Sequence, residues 1–230
     1  MNSLRFALVD GRTLETAATR LVVAGWTGRD AAAIEHHIDE LARIGVPRPS
    51  AVPLYYRLSS ALLTQSDALE MLGESSSGEA EPVLMRHGDR WWLTVGSDHT
   101  DRGVEAYSVV VSKQMCAKPI ARAAWPWDEV SARADELVLR SEILKDGNWV
   151  TYQEGRVASI RPLQSLIDGL PPDVAVEDGL VLFCGTLSAI PDAGGKAIRP
   201  AESMRVELVD PPASRRITHR YRVTALPVVA

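Results

Sequence analysis

Residues 78–102, GEAEPVLMRHGDRWWLTVGSDHTDR, contain the most informative pattern in this chain of 230 residues. Two largely apolar segments, 79–86 and 90–97, are separated by a short turn of His, Gly and Asp at residues 87–89. Apolar segments of this length joined by turn residues are typical of a β-hairpin. The pattern therefore predicts two neighbouring antiparallel strands, with charged residues at the outer end of each.

Three carboxylates lie at the same end of this predicted hairpin. Glu79 and Glu81 are two residues apart on an extended segment, so their side chains point to one face, where like charges repel unless a cation lies between them. Asp98 follows the second strand. Three carboxylates suit Mg²⁺ or Mn²⁺, which prefer oxygen ligands and retain several waters. Alternatively, Glu79 and Glu81 lie on the solvent face of an amphipathic strand, but the polar cluster SDHTDR beside apolar strands favours a site.

Strand-like segments outnumber helical ones along the rest of the chain. Helices are predicted at residues 29–45, 127–137 and 161–170, and a long loop with a strand and a helical turn at 45–78. Predicted strands occupy residues 4–11, 20–26, 105–115, 137–144, 149–156, 179–187 and 203–210. Strands and helices do not alternate in βαβ fashion, which predicts an α+β fold with a strand-rich core.

Composition excludes several classes of protein. The net charge is −5 and the basic residues are spread along the chain, which argues against a nucleic-acid-binding surface. There is no apolar run of about 18 residues and no leader-like N-terminus, which argues against a membrane protein. Cys116 and Cys184 lack CxxC spacing and are predicted to be buried free thiols. A cytoplasmic location is expected.

The segments GEAEPVLM and GSDHTDR resemble the metal-binding segments of the fumarylacetoacetate hydrolase superfamily, in particular a divergent prokaryotic branch without assigned function. The resemblance implies a mixed β-sheet roll or pseudo-barrel with a few short helices. It assigns Glu79, Glu81 and Asp98 as ligands of Mg²⁺ (or Mn²⁺ or Ca²⁺) and Arg102 as a catalytic arginine. It also implies a single domain over residues 1–230, with N-terminal strands and a possible lid helix in 1–45 and the metal-binding core in 79–225.

Further site residues follow from the same resemblance. GLVLFCGTLSAI is similar to a family strand whose end closes over the substrate carboxylate, which implies that Gly185 and Thr186 bind substrate. Lys113 is expected to be the catalytic lysine, and Lys118 is the alternative. Glu105 stands where many members have glutamine, and a glutamate there would alter substrate contacts or the charge near the metal.

The N-terminal segment VVAGWTGRDAAAIEHHIDE departs from the family pattern. Ala31 occupies the place of the family's histidine, whereas His36 and His37 follow later with Glu40. At helical spacing Glu40 could orient either imidazole as the base that activates a water. The alternative is a pair of surface histidines on an amphipathic helix.

The resemblance implies a metal-dependent hydrolase or lyase that breaks a C–C bond of a 2-oxo acid or an acylpyruvate-like 1,3-dicarbonyl through a metal-stabilised enolate. Hydrolysis needs an activated water, whereas decarboxylation or isomerisation does not. The alternatives are a domain that binds a small carboxylate without turnover, and a structural subunit without metal. The resemblance also implies a homodimer. The segments RWWL and AWPWDEV supply aromatic side chains for an interface or for the core.

Overall fold

The computed structural model describes residues 2–43 and 48–229, apart from the side chains of Asn2, His37, Glu40 and Leu41. The strands in these residues are β1 (Asn2–Ala7), β2 (Thr13–Ala18), β3 (Arg20–Gly25), β4 (Leu54–Leu58), β5 (Leu63–Thr64), β6 (Ala68–Leu72), β7 (Ser76–Ser77), β8 (Ala80–His87), β9 (Arg90–Ser97), β10 (Thr100–Asp101), β11 (Lys118–Pro119), β12 (Trp125–Pro126), β13 (Val138–Lys145), β14 (Asn148–Arg156), β15 (Leu180–Phe183), β16 (Ser203–Asp210) and β17 (Arg215–Leu226). The α-helices are α1 (Ala31–Arg43), α2 (Arg102–Glu105), α3 (Val109–Gln114), α4 (Trp127–Val130) and α5 (Leu163–Asp168). Short 3-10 turns occur at Ser60–Leu62, Ser131–Glu136 and Val157–Ser159.

Two larger sheets organise the described part of the chain. The first has the strand order β12-β9-β8-β15-β3-β4, and the second has the order β14-β13-β16-β17-β6. Most neighbours are antiparallel, but β15 runs parallel to β3, and β17 runs parallel to β6. Three two-stranded pairs, β1-β2, β10-β7 and β11-β5, complete the pattern. The predicted strand-rich α+β fold with mixed sheets and a few short helices is confirmed.

The first sheet is covered on both faces. Along β8, Ala80 and Leu84 pack into a core shared with the second sheet, whereas Val83 and Met85 pack into a second core under the β1–β2 hairpin. The same alternation divides β3, β9 and β15. A strand buried on both faces is apolar at successive positions rather than at every second one. This explains the continuous apolar runs of β8 and β15. Polar residues at the ends of such strands are therefore unexpected.

The predicted strand at residues 105–115 is wrong. Its valine run lies in α3, whose first turn is capped by the Ser108 hydroxyl as it accepts a hydrogen bond from the Val111 N–H. Asp101 caps α2 by accepting from the N–H groups of Gly103 and Val104. These caps satisfy otherwise unpaired backbone donors, which outweighs the modest β preference of valine. As a result Lys113 projects from a helix.

Other predicted boundaries need smaller corrections. The hairpin of β8 and β9 is confirmed, and so is a helix at α1, although residues 44–45 of the predicted helix lie outside the described residues. Of the loop predicted at 45–78, residues 45–47 lie outside the described residues, and residues 48–78 contain more regular structure than predicted, because β4 and β6 pair with strands distant in sequence. The helix predicted at 127–137 divides into α4 and a 3-10 turn, with a non-helical backbone at Arg133. Short strands that depend on distant partners carry little local signal.

Three tryptophans of the segments RWWL and AWPWDEV lie in the interior. Trp125 and Trp127 are buried in the core between the two sheets, and Trp92 is buried in the core under β1–β2. Cys116 and Cys184 are free and buried, as the sequence predicts. Among the residues described, no helix is long and apolar enough to span a membrane.

Candidate metal centre

The register of β8 and β9 brings the three predicted carboxylates together. Glu81 lies opposite Gly96, and the Asp98 N–H donates to the Glu79 carbonyl at 2.9 Å. Each side chain offers one oxygen such that all three oxygens lie within 4.8 Å of one another. A Cβ at Gly96 would lie 2.9 Å from both Ile120 and Phe183, so glycine is required for the close packing beside the cluster. This arrangement can hold a metal ion.

The cluster is withdrawn from solvent. Glu81 is 2% exposed and Asp98 is fully buried, so neither lies on a solvent face of the strand. Lys113 donates to Asp98 Oδ2, and Lys118 Nζ lies 3.0 Å from Asp98 Oδ1. Each oxygen of Asp98 therefore faces an ammonium group. Two cations beside one carboxylate offset the cost of burying its charge.

The two buried carboxylates differ in their electrostatic environment. Burial opposes ionisation of Asp98, but the ammonium groups of Lys113 and Lys118 outweigh it and lower the Asp98 pKa to about 2. Burial raises the pKa of Glu81 well above its usual value, and the Asp98 and Glu79 charges add to this, despite the opposing Lys113 charge. A divalent cation would remove the repulsion that Glu81 experiences.

Both candidate lysines reach Asp98, and they differ in access. The Lys118 ammonium is fully buried and donates to the Lys113 carbonyl at 2.6 Å and to the His99 carbonyl. Its pKa is lowered by burial and by the nearby Lys113 charge, although Asp98 opposes this. The Lys113 side chain is 8% exposed and lies 5.9 Å from the centre of the Tyr56 ring. Lys118 therefore holds the backbone of His99 and Lys113 in place, whereas the Lys113 side chain lies closer to solvent.

Arg102 is held by several partners at once. Its Nε donates to Ser77 Oγ at 2.8 Å, and its Nη1 donates to both oxygens of Glu105 at 3.1 and 3.0 Å. Its Nη2 lies 2.9 Å from Glu79 Oε1. Although burial opposes the charged form, the two carboxylates outweigh it and raise the Arg102 pKa above its usual value. The guanidinium therefore bridges Glu79 and Glu105.

The backbone after β15 supports the carboxylates. The Gly185 N–H donates to Glu81 Oε2 at 2.7 Å. The Thr186 hydroxyl donates to the Ala80 carbonyl and accepts from Gln153 Nε2, each at 2.7 Å. Gly185 thus orients a predicted ligand, and Thr186 uses its hydroxyl to hold the start of β8. Their predicted contact with substrate stays a prediction.

Several supporting residues were missed by the sequence reasoning. Gln153 on β14 accepts from the Ala80 N–H at 2.9 Å and donates to the Leu187 carbonyl at 2.6 Å. From β17, the Tyr221 hydroxyl donates to Ser97 Oγ at 2.8 Å, and Ser97 Oγ accepts from the Glu79 N–H at 3.1 Å. The second sheet therefore holds the metal-facing end of β8 and β9. The one sequence signal that could have identified these residues is a polar side chain at an inward-facing position of a strand. Gln153 and Tyr221 both have this feature.

Another missed residue is His99, next to Asp98. It is 2% exposed, and its ring nitrogens lie 3.2 Å from the Tyr221 hydroxyl and 3.1 Å from Ser76 Oγ. Burial, together with the Lys118 and Arg102 charges, lowers its pKa to about 3. His99 is therefore a neutral member of the hydrogen-bonded support.

The predicted histidine base is only partly covered by the structure. His36 is exposed on α1. The side chains of His37 and Glu40 lie outside the described residues, so the proposed His–Glu pairing stays a prediction. The helix follows Thr27 and Gly28, and Thr27 packs against Gly185, so α1 begins near the site.

Solved structures with the same architecture support the resemblance seen in the sequence. A candidate fumarylpyruvate hydrolase from Burkholderia cenocepacia is 19% identical, with a TM-score of 0.65 over 99% of this chain and 97% of its own. A fumarylacetoacetate hydrolase from Exiguobacterium antarcticum is 11% identical, with a TM-score of 0.61 over 94% and 79% of the two chains. A 2-keto-3-deoxy-D-arabinonate dehydratase, solved with magnesium and 2,5-dioxopentanoate, is 14% identical, with a TM-score of 0.63 over 94% and 77%. The fold is therefore that of the fumarylacetoacetate hydrolase superfamily, as predicted.

A family model identifies the chain more narrowly. Residues 24–221 match the family described as "Protein of unknown function (DUF2848)", and the chain belongs to this family. Comparison with curated protein sequences finds no match. The match spans every residue of the carboxylate cluster and its lysine and arginine partners.

Replacing Gly185 by alanine tests how tightly this backbone is held. The added Cβ would lie 1.6 Å from Thr27 Oγ1 at a φ of +93°. We expect Gly185→Ala to lower the free energy of unfolding by about 3 kcal/mol, because the clash adds to the left-handed backbone cost. Urea denaturation measures this. Gly11→Ala is the control, since Gly11 has φ +82° and no atom of the described residues lies within 4 Å of the added Cβ. Its loss should be only about 1–2 kcal/mol, and equal losses would contradict the role of Gly185.

Proposed function

We propose that this protein is a divalent-metal-dependent hydrolase or lyase that acts on a C–C bond of a 2-oxo acid or an acylpyruvate-like 1,3-dicarbonyl. One observation carries the proposal: three carboxylates at the ends of two adjacent strands converge, and two of them, Glu81 and Asp98, are buried. The cationic groups beside them provide countercharge for an anionic substrate and for negative charge that develops during reaction.

The residues present suit a hard divalent cation. All three candidate ligands are carboxylates, and each offers one oxygen within 4.8 Å of the others. The charge repulsion at Glu81 adds a second reason for a cation to bind there. We infer that Glu79, Glu81 and Asp98 hold Mg²⁺, with Mn²⁺ or Ca²⁺ as substitutes, because all three ions prefer oxygen ligands.

The proposed mechanism assigns a separate task to each neighbouring side chain. A bound divalent cation supplies Lewis acidity, which stabilises negative charge on a substrate oxygen. Lys113 presents a positive charge near the opening and strengthens that stabilisation in a water-poor site. Arg102 keeps Glu79 oriented through its contacts with Glu79 and Glu105. Lys118 holds the backbone of His99 and Lys113 in place.

The reaction type depends on whether the site activates a water molecule. Hydrolysis requires a base that activates water, and the pair of a histidine, His36 or His37, with Glu40 is our proposal for that base. Decarboxylation or isomerisation proceeds without such a base. The dehydratase of the same fold was solved with magnesium and 2,5-dioxopentanoate, which supports a dicarbonyl compound as the ligand class.

Metal binding is tested by thermal unfolding of metal-stripped protein with and without Mg²⁺ or Mn²⁺, and with oxalate as a mimic of a chelating enolate. A ligand at about 100 times its dissociation constant adds about 2.7 kcal/mol. For a chain of this size we therefore expect the melting temperature to rise by about 5–10 °C, and further with oxalate. Glu81→Gln should abolish the rise, because a neutral amide is a poor ligand but still accepts from the Gly185 N–H.

Glu207→Gln is the matched control for this experiment. Glu207 is also buried and accepts from the Thr218 hydroxyl at 3.0 Å, but it lies on β16 in the second sheet. This variant should respond to metal like the wild type. Absence of any metal response in the wild type would overturn the metal centre, and an unchanged response in Glu81→Gln would overturn its ligand assignment.

A carboxylate-binding protein without turnover is the second candidate. It is favoured by the contacts of Arg102 with Ser77, Glu79 and Glu105, which direct the guanidinium at protein groups rather than at a reacting group. The two candidates differ in product formation. Pyruvate release from acylpyruvates by the metal-loaded wild type, lost in Glu81→Gln, supports the enzyme. Binding of oxalate without release from any acylpyruvate supports the second candidate.

We also propose that the protein forms a homodimer. Four apolar side chains on and beside α2 and α3 are at least 41% exposed: Tyr107, Val110, Val111 and Met115. Apolar side chains exposed together in this way favour an association surface. Sedimentation at micromolar concentration should show a dimer, and Val110→Asp should shift it toward monomer by placing a charge in the interface. Val9→Asp is the control, because Val9 is 66% exposed after β1. A wild-type monomer would contradict the proposal.

A further inference from the structure

Glu105 lies at the entrance of the proposed metal centre. Its side chain is 32% exposed, compared with 21% for Glu79, 13% for Arg102 and 8% for Lys113. Glu81 and Asp98 lie deeper and are buried. The carboxylates of Glu105 and Glu79 are therefore the charged groups of the cluster most accessible to a ligand from solvent.

The charges of the cluster nearly cancel. Four carboxylates, Glu79, Glu81, Asp98 and Glu105, face three cationic groups, which are those of Arg102, Lys113 and Lys118. The ionised cluster therefore carries one negative charge, and a divalent cation would change it to one positive charge. A ligand with a single negative charge neutralises that site, whereas a second negative charge at the ligand's far end, away from the metal, would face the Glu105 carboxylate.

Arg102 does not supply a partner for that second charge. Its Nε, Nη1 and Nη2 are already directed at Ser77, Glu105 and Glu79. Glu105 itself, when ionised, only accepts hydrogen bonds, so it repels a ligand carboxylate and attracts a hydroxyl or another donor. The Tyr56 phenol, which lies close enough to feel the charges of Lys113 and Glu105, adds no formal charge.

We propose that Glu105 makes this site selective for monoanionic 2-oxo acids, whose single carboxylate lies at the metal and whose other end is uncharged. This inference rests on the proposed metal-dependent function. Glu105 acts on specificity in two ways, because it contributes a negative charge at the entrance and keeps Arg102 Nη1 occupied. A neutral side chain at this position would remove the charge and release a guanidinium donor for a second carboxylate.

The test compares two ligands of equal chain length, 2-oxopentanoate and 2-oxoglutarate, by calorimetric titration of the Mn²⁺-loaded full-length protein. Wild type should bind the monoanion about tenfold more tightly, as expected for one unfavourable charge contact in a partly solvated site. Glu105→Gln should reduce this preference to about twofold or less, mainly through tighter binding of 2-oxoglutarate. Glutamine preserves the shape of the side chain, so the fold should be retained.

Glu70→Gln is the control for loss of one negative charge, since Glu70 is exposed on β6 in the second sheet. It should keep the wild-type preference. Binding of both ligands with the same ratio in wild type and Glu105→Gln would overturn the role of Glu105 and leave the metal centre standing. Failure of the Mn²⁺-loaded wild type to bind either 2-oxo acid would overturn the 2-oxo acid function itself.

Discussion

The ion cluster around Asp98 is the constraint on which the rest of the site depends. A fully buried carboxylate faces the ammonium groups of Lys113 and Lys118, one at each of its oxygens. Removing one partner of a buried ion pair typically costs about 3–5 kcal/mol, because the remaining charge is left unpaired. The cluster therefore fixes the positions of α3 and β11 relative to the end of β9.

Both sheets hold this cluster in place, each from a different side. The first sheet supplies the candidate ligands from the ends of β8 and β9, and β15 leads into the Gly185 N–H that orients Glu81. The second sheet supports the same strands from the other side, through Gln153 and the contact between Tyr221 and Ser97. Rigid backbone support of this kind keeps like charges close together, which is what a preorganised metal site requires.

The hairpin and the three carboxylates were predictable because their signals are local. Glu79 and Glu81 obey the period of two along a strand, and Asp98 follows an apolar strand at a point where charge is unexpected. The helix containing Lys113 was not predictable from its valines, because the caps at Asp101 and Ser108 decide it. Gln153 and Tyr221 were missed for another reason, since their roles depend on strand pairing between residues far apart in sequence.

The central claim is that Glu79, Glu81 and Asp98 together bind a divalent cation. A crystal structure of the Mn²⁺-loaded protein, with anomalous diffraction data collected at the manganese absorption edge, tests it most directly. The account predicts one strong anomalous peak within coordinating distance of an oxygen from each of the three carboxylates, at about 2.0–2.3 Å for a cation of this size. A peak bound elsewhere, or no peak while Asp98 remains between the two lysines, would contradict it.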